Sequence, residues 1–148
     1  MTAPSPVPAP DAAALTALLR DARRIAVVGL SDDPAKPSHY VSAYMQRAGY
    51  TILPVNPTLA GREVLGERVW PDLPAAAAAA GPIDIVNVFR RSEAVPALVD
   101  DCVRVAPRLV WMQQGIRHEG AARRLAEAGI AVVMDRCLMV DHRLLLGR

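Results

Sequence analysis

The sequence predicts an α/β protein: a Rossmann-like, doubly wound, mainly parallel sheet of five or six strands in a single domain. Three observations carry that prediction. Short apolar runs rich in β-branched residues, such as Ile25 to Val28 and Ile83 to Phe89, read as strands buried on both faces. Stretches of helical periodicity separate them, and parallel strands need such crossover connections. Glycine and proline punctuate the junctions at Gly29, Gly49, Gly81-Pro82, Gly115 and Gly129.

In chain order, residues 1–10 alternate proline with alanine, serine and valine. They read as a disordered Pro/Ala-rich tail, which leaves 11–148 as the domain. Asp11 is placed to cap a helix that turns Leu15, Leu18, Leu19 and Ala22 to one face. The first strand, from Ile25, ends at Gly29. A polar loop with two prolines and the chain's only lysine, Lys36, follows. Ser38 is expected to cap the next helix, whose apolar stripe is Val41, Tyr44, Met45 and Ala48. Thr51 to Val55 is the second strand, closed by Asn56-Pro57 because proline cannot extend a ladder.

Val64-Leu65 and Val69-Trp70 suggest a short third strand. Asp72 can cap a helix over the alanine run to Ala80, a good helix former stopped by Gly81-Pro82. Ile83 to Phe89 is the next strand. Ser92 is expected to cap a helix burying Val95, Leu98, Val99, Cys102 and Val103, with Pro96 in its first turn. Leu109 to Met112 is a strand, Glu119 to Ala128 a helix, and Ile130 to Met134 the last strand. In the segment after Asp135, Leu144 to Leu146 are expected to pack back on the core, and Asp141-His142 to lie in an exposed turn.

Composition narrows the function. The chain has 148 residues, just over half of them apolar, and a net charge of +2. That charge, with scattered arginines and few aromatics, argues against nucleic acid as a partner. No apolar run reaches membrane-spanning length, and the N-terminus lacks the basic and apolar regions of a signal peptide. Cys102 and Cys137 are far apart and form no CxxC pair, so a reduced, cytoplasmic setting is expected. Neither cysteine has metal-ligand spacing with His39, His118 or His142. Cys102 reads as core.

In a doubly wound sheet, ligands bind beyond the carboxyl ends of the strands. A strand, a glycine turn and a helix start aim backbone N–H groups and a positive dipole end at an anion. The stretch from Ile25 to Ser38 has that order, so its loop is expected to hold the phosphates of a nucleotide-like ligand. The nicotinamide fingerprint is missing. The turn Gly29-Leu30-Ser31-Asp32-Asp33-Pro34 has one glycine, and no acid follows the second strand at Asn56. The phosphate-binding pattern of ATPases is absent too. Asp32 and Asp33 are expected to face solvent or cap the loop, since carboxylates would repel a phosphate.

Gly29-Leu30-Ser31, Lys36-Pro37-Ser38, Pro54-Val55-Asn56-Pro57, Val88-Phe89-Arg90-Arg91, Trp111 to Ile116 and Met134-Asp135-Arg136-Cys137 together resemble the small bacterial CoA-binding proteins. These are stand-alone relatives of the CoA-binding domain of the succinyl-CoA synthetase alpha subunit. The resemblance runs from about Asp11 onward and implies a Rossmann-type fold that binds coenzyme A, or an acyl-CoA, at the strand ends. It implies that Gly29, Leu30, Ser31, Lys36, Pro37 and Ser38 form the phosphate turn. Val55, Asn56 and Pro57 would flank the adenosine half. Phe89, Arg90 and Arg91 would line the opposite wall, and Gln114 and Gly115 would border the pantetheine arm.

No catalytic residue and no metal ligand is expected. The synthetase carries its phosphorylated histidine in a second domain, and His118 reads instead as a helix cap. Asn56 fits an ordinary turn as well as a ligand contact. Cys137, just past a strand end, is placed where it could meet the ligand's thiol. Two other readings stand beside this one: a nicotinamide-dependent enzyme or redox sensor on the same fold, and an accessory nucleotide-binding subunit of an acyl-CoA ligase.

Overall fold

Residues 7–147 are described by the computed structural model; residues 1–6, most of the expected tail, lie outside them. The elements in chain order are α1 (Ala12–Asp21), β1 (Arg24–Val28), α2 (Pro37–Arg47), β2 (Thr51–Val55), β3 (Glu63–Val64), β4 (Glu67–Arg68), α3 (Leu73–Ala80), β5 (Ile85–Val88), a 3-10 helix (Ser92–Leu98) continuing into α4 (Val99–Val105), β6 (Leu109–Met112), α5 (Glu119–Glu127), β7 (Ala131–Val133) and α6 (Leu138–Leu145). The main sheet has five strands in the order β2-β1-β5-β6-β7, and every pairing in it is parallel.

Side-chain alternation divides the core into two layers. Ala26, Val28, Val55, Val86 and Met112 pack against α3, α4 and α5. Ile25, Val27, Ile52, Leu109 and Trp111 pack against α1, α2 and α6. Burial on both faces is why these strands are continuously apolar instead of alternating. Val7 packs against the first layer, so the segment before Asp11 touches the core at that residue. Asp11 and Asp72 cap α1 and α3 through Ala14 and Ala75 N–H groups, as their sequence positions predict. None of the described helices is long and apolar enough to cross a membrane.

Several elements depart from expectation. The third strand is instead a separate antiparallel hairpin, β3–β4; Val64 packs on the core, and Trp70, just after the hairpin, makes an isolated bridge to Val55 of the main sheet. Its two-residue turn, Leu65-Gly66, has positive φ at both positions, the geometry that lets so short a loop reverse the chain. Ser92 caps no helix. The segment begins as a 3-10 helix containing Pro96, which lacks an N–H, and α-helix starts only at Val99. Ser92 Oγ instead accepts from Arg117 N–H at 2.9 Å. Val103 is largely exposed.

On α2, Ala48 is exposed and Ser42 is buried, its hydroxyl donating to Ser38 O at 2.6 Å. At the C-terminal end, Leu145 and Leu146 pack on the core as expected, but Leu144 is 78% exposed. Asp141-His142 is not an exposed turn. Both lie in α6, and His142 is buried with its Nδ1 3.0 Å from Tyr44 Oη.

The chain runs from β1 to β2 on one side, then crosses to the other side of β1 for β5. Loops leaving β1 and β5 therefore diverge between these two neighbours, which opens a crevice at their carboxyl ends.

Candidate functional site at the strand ends

Gly29 is the pivot of the crevice. It has φ of +88°, its N–H donates to Val55 O at 2.8 Å, and Phe89 N–H donates to Val28 O at 2.9 Å. A side chain on Gly29 would collide with the Phe89 carbonyl, so glycine is needed for the three strand ends to meet.

The loop after Gly29 is built from local turns. Ser31 Oγ accepts from Asp33 N–H at 3.0 Å, Asp33 Oδ1 accepts from Ala35 N–H at 2.9 Å, and Lys36 N–H donates to Asp33 O at 3.0 Å. Asp33 thus caps the loop, as expected, and Asp32 is exposed. Ser38 does not cap α2. The cap position is Lys36, Pro37 is the first helical residue, and Ser38 Oγ reaches back to accept Ser31 N–H at 2.9 Å. A lysine side chain has no acceptor, so no side chain caps this end of the helix. Among the described residues the Ser38 N–H finds no acceptor. Ser31 and Ser38 hydroxyls each accept one backbone N–H and keep their own proton to donate. Together they offer an anion two O–H donors, a helix N–H and the Lys36 ammonium.

Gly29, Ser31, Lys36, Pro37, Ser38 and Phe89 surround a cavity of about 270 Å³. Pro37 and Phe89 also line a second, of about 310 Å³, with Tyr40, Val41, Gln113, Gln114 and Cys137. Gln114 and Cys137 in turn border a third, of about 260 Å³, with Asp135, Arg136 and Asp141. Through these shared walls the three cavities adjoin as a trough at the strand ends. A fourth cavity, of about 210 Å³, contains Val55, Pro57 and Arg90.

The remaining candidates are placed differently. Leu30 has its side chain fully buried in the core. Asn56 ties the loops together: Nδ2 donates to Leu30 O at 3.1 Å and Oδ1 accepts Thr58 N–H at 3.0 Å. Of its two open readings, the turn role accounts for both ends of the amide. Arg91 projects into solvent, 3.5 Å from Glu93. Gly115 makes a turn at φ of +86°, its N–H donating to Asp135 Oδ1 at 2.7 Å. Arg90 is half-buried, and neither it nor Lys36 forms an ion pair among the described residues.

Sequence reasoning passed over Asn87, the one polar residue inside β5. Its Oδ1 accepts from Gln113 Nε2 at 2.9 Å, Gln113 lining the second cavity, and its Nδ2 is buried without a partner among the described residues. A lone amide in an otherwise apolar strand was the available signal. Tyr40 escaped because its role depends on how α2 crosses the sheet. His118 caps α5 by accepting Ala121 N–H at 3.0 Å, as its position predicts.

A family model described as "CoA binding domain" matches residues 23–143. The chain is 46% identical over 133 residues to the uncharacterized protein YneT of Bacillus subtilis (strain 168), spanning 90% of this chain and 95% of that one. A solved structure from Thermus thermophilus superposes with a TM-score of 0.87 at 42% identity, covering 93% of this chain and all of that one. A hypothetical protein from Pyrococcus horikoshii OT3 gives 0.86 at 28% identity over 99% of this chain and 100% of that one.

Proposed function

The chain belongs to the CoA-binding domain family, and from that premise we propose that it binds coenzyme A or an acyl-CoA at the strand ends and catalyses no reaction on it. The observation that carries this reading is the donor set at the β1–α2 turn. Ser31, Lys36, Ser38 and the open helix N–H gather where the sheet reverses its winding, beside cavities that share the walls Pro37, Phe89, Gln114 and Cys137.

In this reading the diphosphate lies on that turn. Phe89 and Pro37 shape the passage beyond it, and the pantetheine arm runs past Gln114 toward Cys137. Val55, Pro57 and Arg90 stand on the adenosine side. Charge-assisted contacts of this kind each contribute roughly 1.5–3 kcal/mol. The setting is reducing and cytoplasmic, in keeping with two free thiols, Cys102 and Cys137. A nicotinamide reading is weaker, because the residue after β2 is Asn56, its amide already occupied, with no carboxylate beside it to hold a ribose diol.

Calorimetric titration of the purified chain with coenzyme A, acetyl-CoA and NAD tests the proposal. Binding of either CoA species with little or none for NAD is expected. Binding of NAD alone overturns it, and turnover of an acyl-CoA by the isolated chain overturns the non-catalytic part.

A further inference from the structure

At the opposite end of the sheet from the trough lies a fifth cavity, of about 200 Å³, where Arg23 and Tyr50 lead into the amino ends of β1 and β2. It is smaller than the roughly 300–1,000 Å³ of sites for larger ligands. Arg20, Arg23, Tyr50 and His142 are its polar side chains, and Leu19 and Leu146 its larger apolar ones. Tyr50 is committed, its Oη donating to Leu19 O. Arg23 Nη1 closes the end of α1 by donating to the carbonyls of Arg20, Asp21 and Ala22 at 2.9, 3.4 and 3.1 Å. Neither the rest of that guanidinium nor the exposed Arg20 side chain has an acceptor or ion pair among the described residues. The carboxylates nearby have other partners: Asp21 lies 3.8 Å from Arg108, and Asp84 accepts the backbone N–H groups of Arg23 and Arg24.

His142 is 8% exposed, and its side chain has one hydrogen bond among the described residues, between Nδ1 and Tyr44 Oη. A phenol is the better donor and an imidazole nitrogen the better acceptor, so Tyr44 donates to Nδ1 and Nε2 carries the ring hydrogen. No described residue accepts from that N–H, on a side chain that lines the cavity. Two guanidinium groups and a ring N–H, with no carboxylate among the lining residues, suit an anion, and the guanidinium fork matches a carboxylate. Apolar walls beside them suit a short hydrocarbon stem. We propose that this cavity is a second ligand site, which binds a small aliphatic acid as its anion. The carboxylate lies against Arg20, Arg23 and His142 Nε2–H, and the stem against Leu19 and Leu146. The site shares no residue with the trough, so it stands independently of the coenzyme A reading.

Butanoate, titrated into the isotope-labelled full chain and followed by NMR, tests this. Saturable shifts are expected at the His142 imidazole nitrogens and the amides of Gly49 and Tyr50, with none at Ser31 or Lys36. Acetate, two methylenes shorter, should bind more weakly by up to about tenfold. Arg20→Gln changes an exposed side chain and should keep the melting temperature while weakening butanoate about tenfold. His142→Phe keeps a ring and removes the N–H, and should weaken butanoate as well; Arg20→Gln carries the test if that variant unfolds. The inference is overturned by the absence of saturable shifts, by shifts confined to the β1–α2 turn, or by acetate or inorganic phosphate binding as tightly as butanoate. Unchanged affinity in Arg20→Gln overturns it too.

Discussion

Gly29 and Phe89 meet so closely that a Cβ added to the glycine would stand 2.5 Å from the Phe89 carbonyl oxygen. Gly29→Ala therefore combines a backbone clash with a left-handed φ. A destabilisation of about 2–4 kcal/mol is expected, read as a lowered urea midpoint. Because the contact joins the ends of β1 and β5, the same variant should lose ligand affinity while still folded in buffer. An unchanged midpoint would show that the two loops separate freely.

Lys36 is exposed at the cap of α2 and makes no ion pair among the described residues. Lys36→Ala should leave the melting temperature unchanged and weaken coenzyme A binding about tenfold. The loss should shrink at high salt, since an exposed charge is screened. Equal affinity of variant and wild type by calorimetry would remove Lys36 from the site.

The two cysteines should differ in reactivity. Burial, with a smaller contribution from Asp101, pushes the Cys102 thiol up to about 12, so thiolate is scarce there at neutral pH. Cys137 is half-buried at the trough wall. Brief alkylation of the folded chain should modify Cys137 and spare Cys102, as read by peptide mass spectrometry, and coenzyme A should slow the modification. Labelling unaffected by saturating ligand would place the pantetheine end elsewhere.

His142 should make stability depend on pH. Burial lowers its pKa below the ordinary 6.5, so the folded state binds fewer protons there than the unfolded chain. Its contribution is fully present above the unfolded value and is lost as pH falls through 6.5 toward the lower folded value. Tyr44 and Tyr50 contact its ring, Arg20 and Arg23 line the cavity beside it, and no carboxylate among the described residues lines that cavity; Asp141, next to it on α6, pairs with Arg136. Urea midpoints should fall between pH 7.5 and 5.5 by more in the wild type than in His142→Gln. Equal slopes would exclude this group as the source.

The parallel sheet, its strand positions and the glycine turn between β1 and α2 were legible because each is a local pattern. β-branched runs, capping residues such as Asp11, Asp72 and His118, and the Gly29 turn are written within a few residues of one another. The 3-10 start at Ser92 was hidden because its hydroxyl satisfies Arg117, 25 positions away. His142 looked like a turn residue because its partners, Tyr44 and Tyr50, come from a distant helix and its end.

By itself, then, the sequence determined the alternation of elements and the chemistry at each strand end, since dihedral preference and hydrophobic period act over a few residues. Only the tertiary structure decided which of those ends share a cavity. It sent Arg91 outward and Arg90 inward, spent the Asn56 amide on loop closure, and brought Asp101 to face Val55 and Pro57. Those outcomes depend on how helices cross the sheet and on distances between residues far apart in the chain, which no local pattern encodes.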